Sequence, residues 1–268
     1  MRVRHVASLL LLVAACSDRS PAPTTLSEDK PVAANANVGG FAYAIMACQR
    51  KKPVPSAPPG YEARWTETVE TIEATNPQDA AFSRFMREEA ARLSREYYQH
   101  FEEQASSFET YREAGSMDVT GDVLAASPDL VSVTIGTAFY IAGMSHPQID
   151  DSRNLIWSRR LRRPLAQDDV FAKPPDRALR LAALAQFDNR ENLQNPDDPD
   201  GIPLNWERAS IGPDGITWSF DPYELGGYLS AGSATIGWPA LKPYLRDDLP
   251  FAIGAIREAP YAPRKQRC

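Results

Sequence analysis

The chain has 268 residues, of which 43% are hydrophobic, 24% charged and 9% aromatic, the composition of a globular protein and not of a disordered or collagen-like one. It carries 29 Lys and Arg against 35 Asp and Glu, a formal charge of −6, which excludes a strongly basic nucleic-acid binder at the level of net charge. Three histidines and three cysteines are too few for a Cys/His-rich zinc module.

The chain opens with Arg2 and Arg4, then the apolar run VASLLLLV over residues 6–13, far shorter than the ~20 residues of a membrane-spanning helix. Val13-Ala14-Ala15-Cys16 follows and resembles the lipobox of bacterial lipoproteins. That resemblance implies removal of residues 1–15, acylation of Cys16 (diacylglycerol on the thiol, a fatty acid such as palmitate on the new amine) and a membrane anchor of several chains. Ser17 at the next position is permissive for transfer to the periplasmic face of the outer membrane. Loss of Arg2 and Arg4, with no acid, moves the net charge from −6 to −8.

Residues 16–40 are Pro-, Ser-, Thr-, Ala- and Asn-rich with almost no large apolar side chains, so they read as a flexible tether. Phe41 to Ala47 is apolar enough for a first strand, and Arg50 to Gly60 (RKKPVPSAPPG) is a basic, Pro-rich loop. Tyr61, Ala63 and Trp65 alternate with charged neighbours, and Val69 and Ile72 extend a second strand. Asn76-Pro77 is a helix start signal, and the spacing of Phe82, Phe85, Met86, Leu93, Tyr97 and Phe101 predicts an amphipathic helix over 78–105. His100 falls within it, at the surface or its boundary.

Residues 116–141 predict two antiparallel strands turning at Ser127-Pro128-Asp129. A loop (AGMSHPQIDDS) leads to a strand over 154–159, then to four arginines, Arg159, Arg160, Arg162 and Arg163, read as the solvated face of an edge strand. A second amphipathic helix spans 175–188, with Leu179, Ala182, Ala183, Leu184 and Phe187 inward. Residues 189–213 are polar loop, with carboxylates at Asp197, Asp198 and Asp200 in a solvated turn. Ile216, Trp218 and Phe220 alternate as a strand, residues 234–237 make another, and Trp238-Pro239 opens a short helix. Strands and helices do not alternate as in βαβ units, so the fold class is α+β in two small lobes, each a helix on a mainly antiparallel sheet, at 41–145 and 146–250, with a tail at 251–268.

The segments AGMSHP (142–147), RNLIW (153–157) and LAQDDVF (165–171), with DGITWSFDPYELGGYLSAGSATIGWPALKPYL (214–245), are similar to paired domains of unknown function in bacterial envelope proteins. Such domains form the extracytoplasmic part of lysozyme-sensing anti-sigma factors and the N-terminal part of some peptidoglycan deacetylases. The resemblance covers roughly 60–250. It implies a non-catalytic binding module directed at lysozyme or a cell-wall glycan, and it makes Asp221, Pro222, Tyr223 and Glu224 a candidate recognition loop. The sigma-binding segment and the deacetylase domain have no counterpart in this sequence, so neither activity carries over.

The competing reading is a peptidoglycan-directed hydrolase using His146 with Asp150 or Asp151. No nucleophile elbow or ordered Ser-His-Asp set supports it, and His146 lacks the further His or Cys ligands of a metal site. No cofactor, metal or nucleic-acid partner is expected. Cys48 and Cys268 form an even pair in an oxidising compartment, which favours a disulfide between them.

Overall fold

The computed structural model describes residues 35–53, 64–105, 115–140, 148–193, 195, 197–221, 224–225 and 231–266. The first hairpin pairs β1 (Ala36–Val38) with the start of β2 (Phe41–Pro53). Its two-residue turn is Gly39-Gly40, both at positive φ (54° and 78°), the primed geometry that fits the twist of paired strands. The tether reading of 16–40 therefore overruns the fold: the Gly pair looked like linker but is turn chemistry. β2 also runs through the basic triplet Arg50-Lys51-Lys52, which the sequence placed in a loop.

β2 pairs antiparallel with β3 (Arg64–Ala74) from Tyr43↔Ala74 to Pro53↔Arg64. A one-turn helix with Asn76 as N-cap leads into α1 (Ala80–Ala105), the predicted long helix. After it, β4 (Gly115–Ala126) pairs parallel with β3, Trp65↔Gly115 to Val69↔Val119. So β3–α1–β4 is one βαβ unit, where the sequence offered none. Its strands lie too far apart in the chain for local patterning to reveal their pairing.

β5 (Leu130–Tyr140), β6 (Gln148–Ser158) and β7 (Arg163–Pro164) continue as an antiparallel meander. The Ser127 hydroxyl accepts from the Asp129 and Leu130 amides at the β4–β5 turn, as its Ser-Pro-Asp sequence predicts. β6 starts earlier than expected, so Asp150 and Asp151 lie in a strand. The short α2 (Gln167–Val170) and α3 (Arg177–Ala185, N-capped by Asp176) follow. A second sheet of β8 (Ala209–Ile211), β9 (Gly215–Phe220) and β10 (Gly232–Gly237) has the order β10-β9-β8, all antiparallel, and α4 (Trp238–Leu241) follows it.

The class is α+β with two mainly antiparallel sheets. The lobe boundary drawn at residue 145/146 falls between two paired strands, because β6 pairs with β5 along its length. The C-terminal segment is built in. β11 (Arg257–Glu258) pairs with β4, and β12 (Arg264–Gln266) pairs parallel with β2, Arg264↔Ile45 to Gln266↔Ala47.

Two cores form, and β5 and β6 separate them. Val131, Val133, Ile135 and Trp157 join the core under α1, which also holds Phe82, Met86, Leu93, Phe101 and Trp65. Leu130 and Ile156 join the other core, with Leu179, Leu184, Trp218 and Ile236. Period-two alternation sends successive residues to opposite sides, and here both sides are covered. Hence Leu130 to Val133 at the start of β5 are all buried, while beyond them burial alternates. Polar bonds fasten the small sheet to this wall, among them the Ile211 amide donating to Ser132 Oγ at 3.1 Å and Asn154 Nδ2 donating to the Arg208 carbonyl at 2.8 Å.

Candidate functional site

Alternate β2 residues Ala44, Met46, Cys48, Arg50 and Lys52 stand opposite Glu73, Thr71, Val69, Glu67 and Trp65 of β3, on the side that meets α1. The helix lies over β3 (Trp65 packs on Tyr98 and Phe101), leaving β2 beyond it uncovered on this side. The result is a groove of about 1070 Å³. α1 contributes Arg87, Ala90, Ala91, Ser94 and Arg95, a single stripe at helical spacing. The two alanines give it depth. Lys265 and Gln266 of β12, with Asn35, close the far rim.

Among the described residues, five basic side chains line the groove (Arg50, Lys52, Arg87, Arg95 and Lys265), against one lining acid, Glu73, which pairs with Arg87. Thr71, Thr75, Ser94, Asn35 and Gln266 add neutral polar groups, and Ala44, Met46, Val69 and Ala90 add apolar floor. A cationic concavity in a chain of charge −6 is a local inversion of sign.

One end is organised by a buried carboxylate. Glu67 is 0% exposed, and its Oε2 accepts from Ser94 Oγ at 2.7 Å and from Lys52 Nζ at 3.0 Å. The Arg50 guanidinium lies 4.0 Å from Oε1, and Lys52 also sits 5.1 Å from the Tyr98 ring centre. A carboxylate out of water needs such partners. In return it fixes Lys52 at the groove's end.

On the opposite side of β2, the C-terminal segment supplies the cover. Tyr43 Oη donates to the Pro260 carbonyl at 3.3 Å. Arg264 bonds Glu70 at 3.0 Å and both oxygens of Asp122 at 3.0 Å, which anchors β12 and so positions Lys265 at the groove rim. Burial and the nearby Asp122 carboxylate raise the Tyr43 hydroxyl above its ordinary value.

The residues named from sequence are not brought together here. Asp221 ends β9 and ties it to β6: its carboxylate meets Arg208 at 2.5 Å and Ser152 Oγ at 3.0 Å, while Glu224 accepts from the Asp221 amide at 3.0 Å. The Ser152 bond ties the two sheets, and the Arg208 and Glu224 contacts hold the turn after β9. Pro222, Tyr223, His146, Cys16 and Cys268 lie outside the described residues. Asp150 and Asp151 are placed by their backbone in β6, with Asp151 opposite Thr137 and Asp150 at the irregularity beside it. Among the described residues no group of three His, Cys, Asp or Glu side chains is placed to hold a metal.

The arginine cluster divides. Arg159 is 12% exposed on its side chain and grips Asp79 at 2.8 Å through two nitrogens, with Ser127 O at 3.1 Å and the Phe41 ring beneath it. It is a core ion pair, not part of a solvated face, because β6 delivers it beside the start of α1. Arg163 bonds both oxygens of Asp169, at 2.6 and 2.7 Å. The groove cations were not singled out in the sequence. The available signal was Arg50-Lys51-Lys52 directly after an apolar strand, together with Arg87 and Arg95 flanking two alanines at helical spacing.

No family model matches this chain. No curated protein matches it either. Among solved structures it is similar to a DUF3298 family member from Bacteroides fragilis, with 14% identity, a TM-score of 0.53, and coverage of 79% of this chain and 96% of that one. A DUF3298 family protein from Pseudomonas aeruginosa is similar at 14% identity and a TM-score of 0.53, covering 76% of this chain and 95% of that one. At this identity the likeness is one of fold: the chain shares the architecture of a domain of unknown function.

Proposed function

We propose that this protein is a lipid-anchored, non-catalytic binding module of the bacterial envelope, with a cell-wall glycan as its ligand in preference to lysozyme. The observation that carries this reading is the groove between α1 and β2. It is concave, it is lined by convergent polar groups, and its charge opposes that of the whole chain. A cationic lysozyme meets like charge there, which slows association with this face. The test mixes the full-length protein in detergent with purified sacculi and, separately, with lysozyme. Co-sedimentation with sacculi is the expected result; calorimetric binding to lysozyme alone would transfer the role to the second ligand.

The anchor belongs to the same proposal and rests on the lipobox-like sequence ending at Cys16. Mass spectrometry of the mature protein should find an acylated Cys16 as its first residue. Cys16→Ser should leave the protein unprocessed and unlabelled by palmitate. A bridge between Cys48 and Cys268 is proposed as well. Its support is register: β12 sets Gln266, two positions before Cys268, opposite Ala47, the neighbour of Cys48.

A further inference from the structure

We propose that the groove takes an acidic glycan, a sugar chain bearing carboxylates, laid along α1; this rests on the glycan-binding reading above and names the chemistry of its ligand. Three features of the lining carry it. The floor of Ala44, Met46, Val69, Ala90 and Ala91 is small and apolar, suited to the C–H faces of sugar rings. Hydroxyls and amides from Thr71, Thr75, Ser94, Asn35 and Gln266 match the hydroxyl and acetamido groups along a sugar edge.

Charge is the third feature. Arg87 and Arg95 are two turns apart on α1, roughly 12 Å along its axis at 1.5 Å per residue. Arg50 and Lys52 hold one end and Lys265 the opposite rim, so the cations are spread along the groove and not focused on one point. A single small anion would use a focused site. A chain with repeated carboxylates uses a spread one, and guanidinium groups suit carboxylates by their paired N–H geometry. Glu67 keeps Lys52 and Ser94 in place before the ligand arrives, which reduces the side-chain ordering left to binding.

The test is calorimetry on the full-length protein in detergent with three probes: a soluble, peptide-free glycan fragment of peptidoglycan, whose muramic acid residues carry free lactyl carboxylates, the neutral oligosaccharide chitotetraose, and lysozyme. The acidic fragment should bind, with affinity falling as salt rises. Chitotetraose should bind at least about 10-fold more weakly, as expected when charged groups lose their partners. Arg95→Glu and Lys265→Glu should each weaken the acidic fragment by about 10-fold or more while leaving the melting temperature unchanged, and Arg95→Lys, which keeps the charge but not the paired N–H geometry, should fall between the wild type and Arg95→Glu. Equal binding of chitotetraose, or no effect of either reversal, overturns the acidic-glycan assignment and leaves the binding module standing. Binding of lysozyme with neither sugar overturns the glycan claim alone. Binding of none of the three overturns both.

Discussion

The Arg159–Asp79 pair shows how far one side chain's role depends on what surrounds it. Both partners are almost out of water, and they meet through two parallel hydrogen bonds. Removing one leaves the other charged and unpaired, a loss of about 3–5 kcal/mol. Arg159→Met should therefore shift the denaturant midpoint strongly, and Arg159→Met with Asp79→Leu should recover much of the loss. A single variant with an unchanged midpoint would refute the pairing. Two other carboxylates set an acid limit. The Arg163 guanidinium, helped by the Ala166 amide, holds Asp169 below the usual carboxylate range. The Leu179 amide and the Tyr244 hydroxyl do the same for Asp176. A lowered folded value means the stabilisation is complete above the unfolded value of about 3.9 and is lost as pH falls from there toward the folded one. The melting temperature should hold on this account down to about pH 5 and drop below pH 4. Asp169→Asn should make that drop shallower.

At the scale of elements, the β1–β2 turn separates two glycines that look alike in sequence. A Cβ on Gly39 would lie 2.3 Å from the Ala126 carbonyl oxygen at positive φ, whereas one on Gly40 meets nothing within 4 Å. Gly39→Ala should cost about 2 kcal/mol or more, and Gly40→Asn should be close to neutral, because Asn tolerates this backbone region. Equal thermal shifts for the two would refute that placement. The same contrast explains what the sequence made legible. Local signals were enough for α1, α3, the β4–β5 hairpin and the strand 215–220, where capping, helical spacing and turn chemistry act over a few residues. Long-range pairing was not legible: the parallel β3–β4 and β12–β2 contacts join segments whose own composition carries no mark of their partners. The groove was hidden for the same reason, since α1, β2 and β12 supply it from three distant places in the chain.

At the scale of the molecule, β5 and β6 act as a shared wall with an apolar core on each side. The second core stacks on the back of the first sheet. Damage to this wall should be felt by both cores, so thermal unfolding is expected as one transition and not two. The proposed Cys48–Cys268 bridge would close a long loop across this unit, a stabilisation of about 5 kcal/mol in the chain-entropy model. Reduction should lower the melting temperature of the intact protein and leave that of Cys48→Ser unmoved. An unchanged melt on reduction would exclude the bridge.

Lys265 Nζ donates to Asn35 Oδ1 at 3.1 Å, so the chain enters and leaves the described fold at one point on the rim of β2. A mechanical pull between these two positions would load β1 and β12 through β2. Once the proposed Cys48–Cys268 bridge is reduced, their bonds to β2 would break in succession, as a zipper opens, before α1 and the central strands yield. Such a protein yields in two steps under traction: a soft outer clasp first, then a stiff interior.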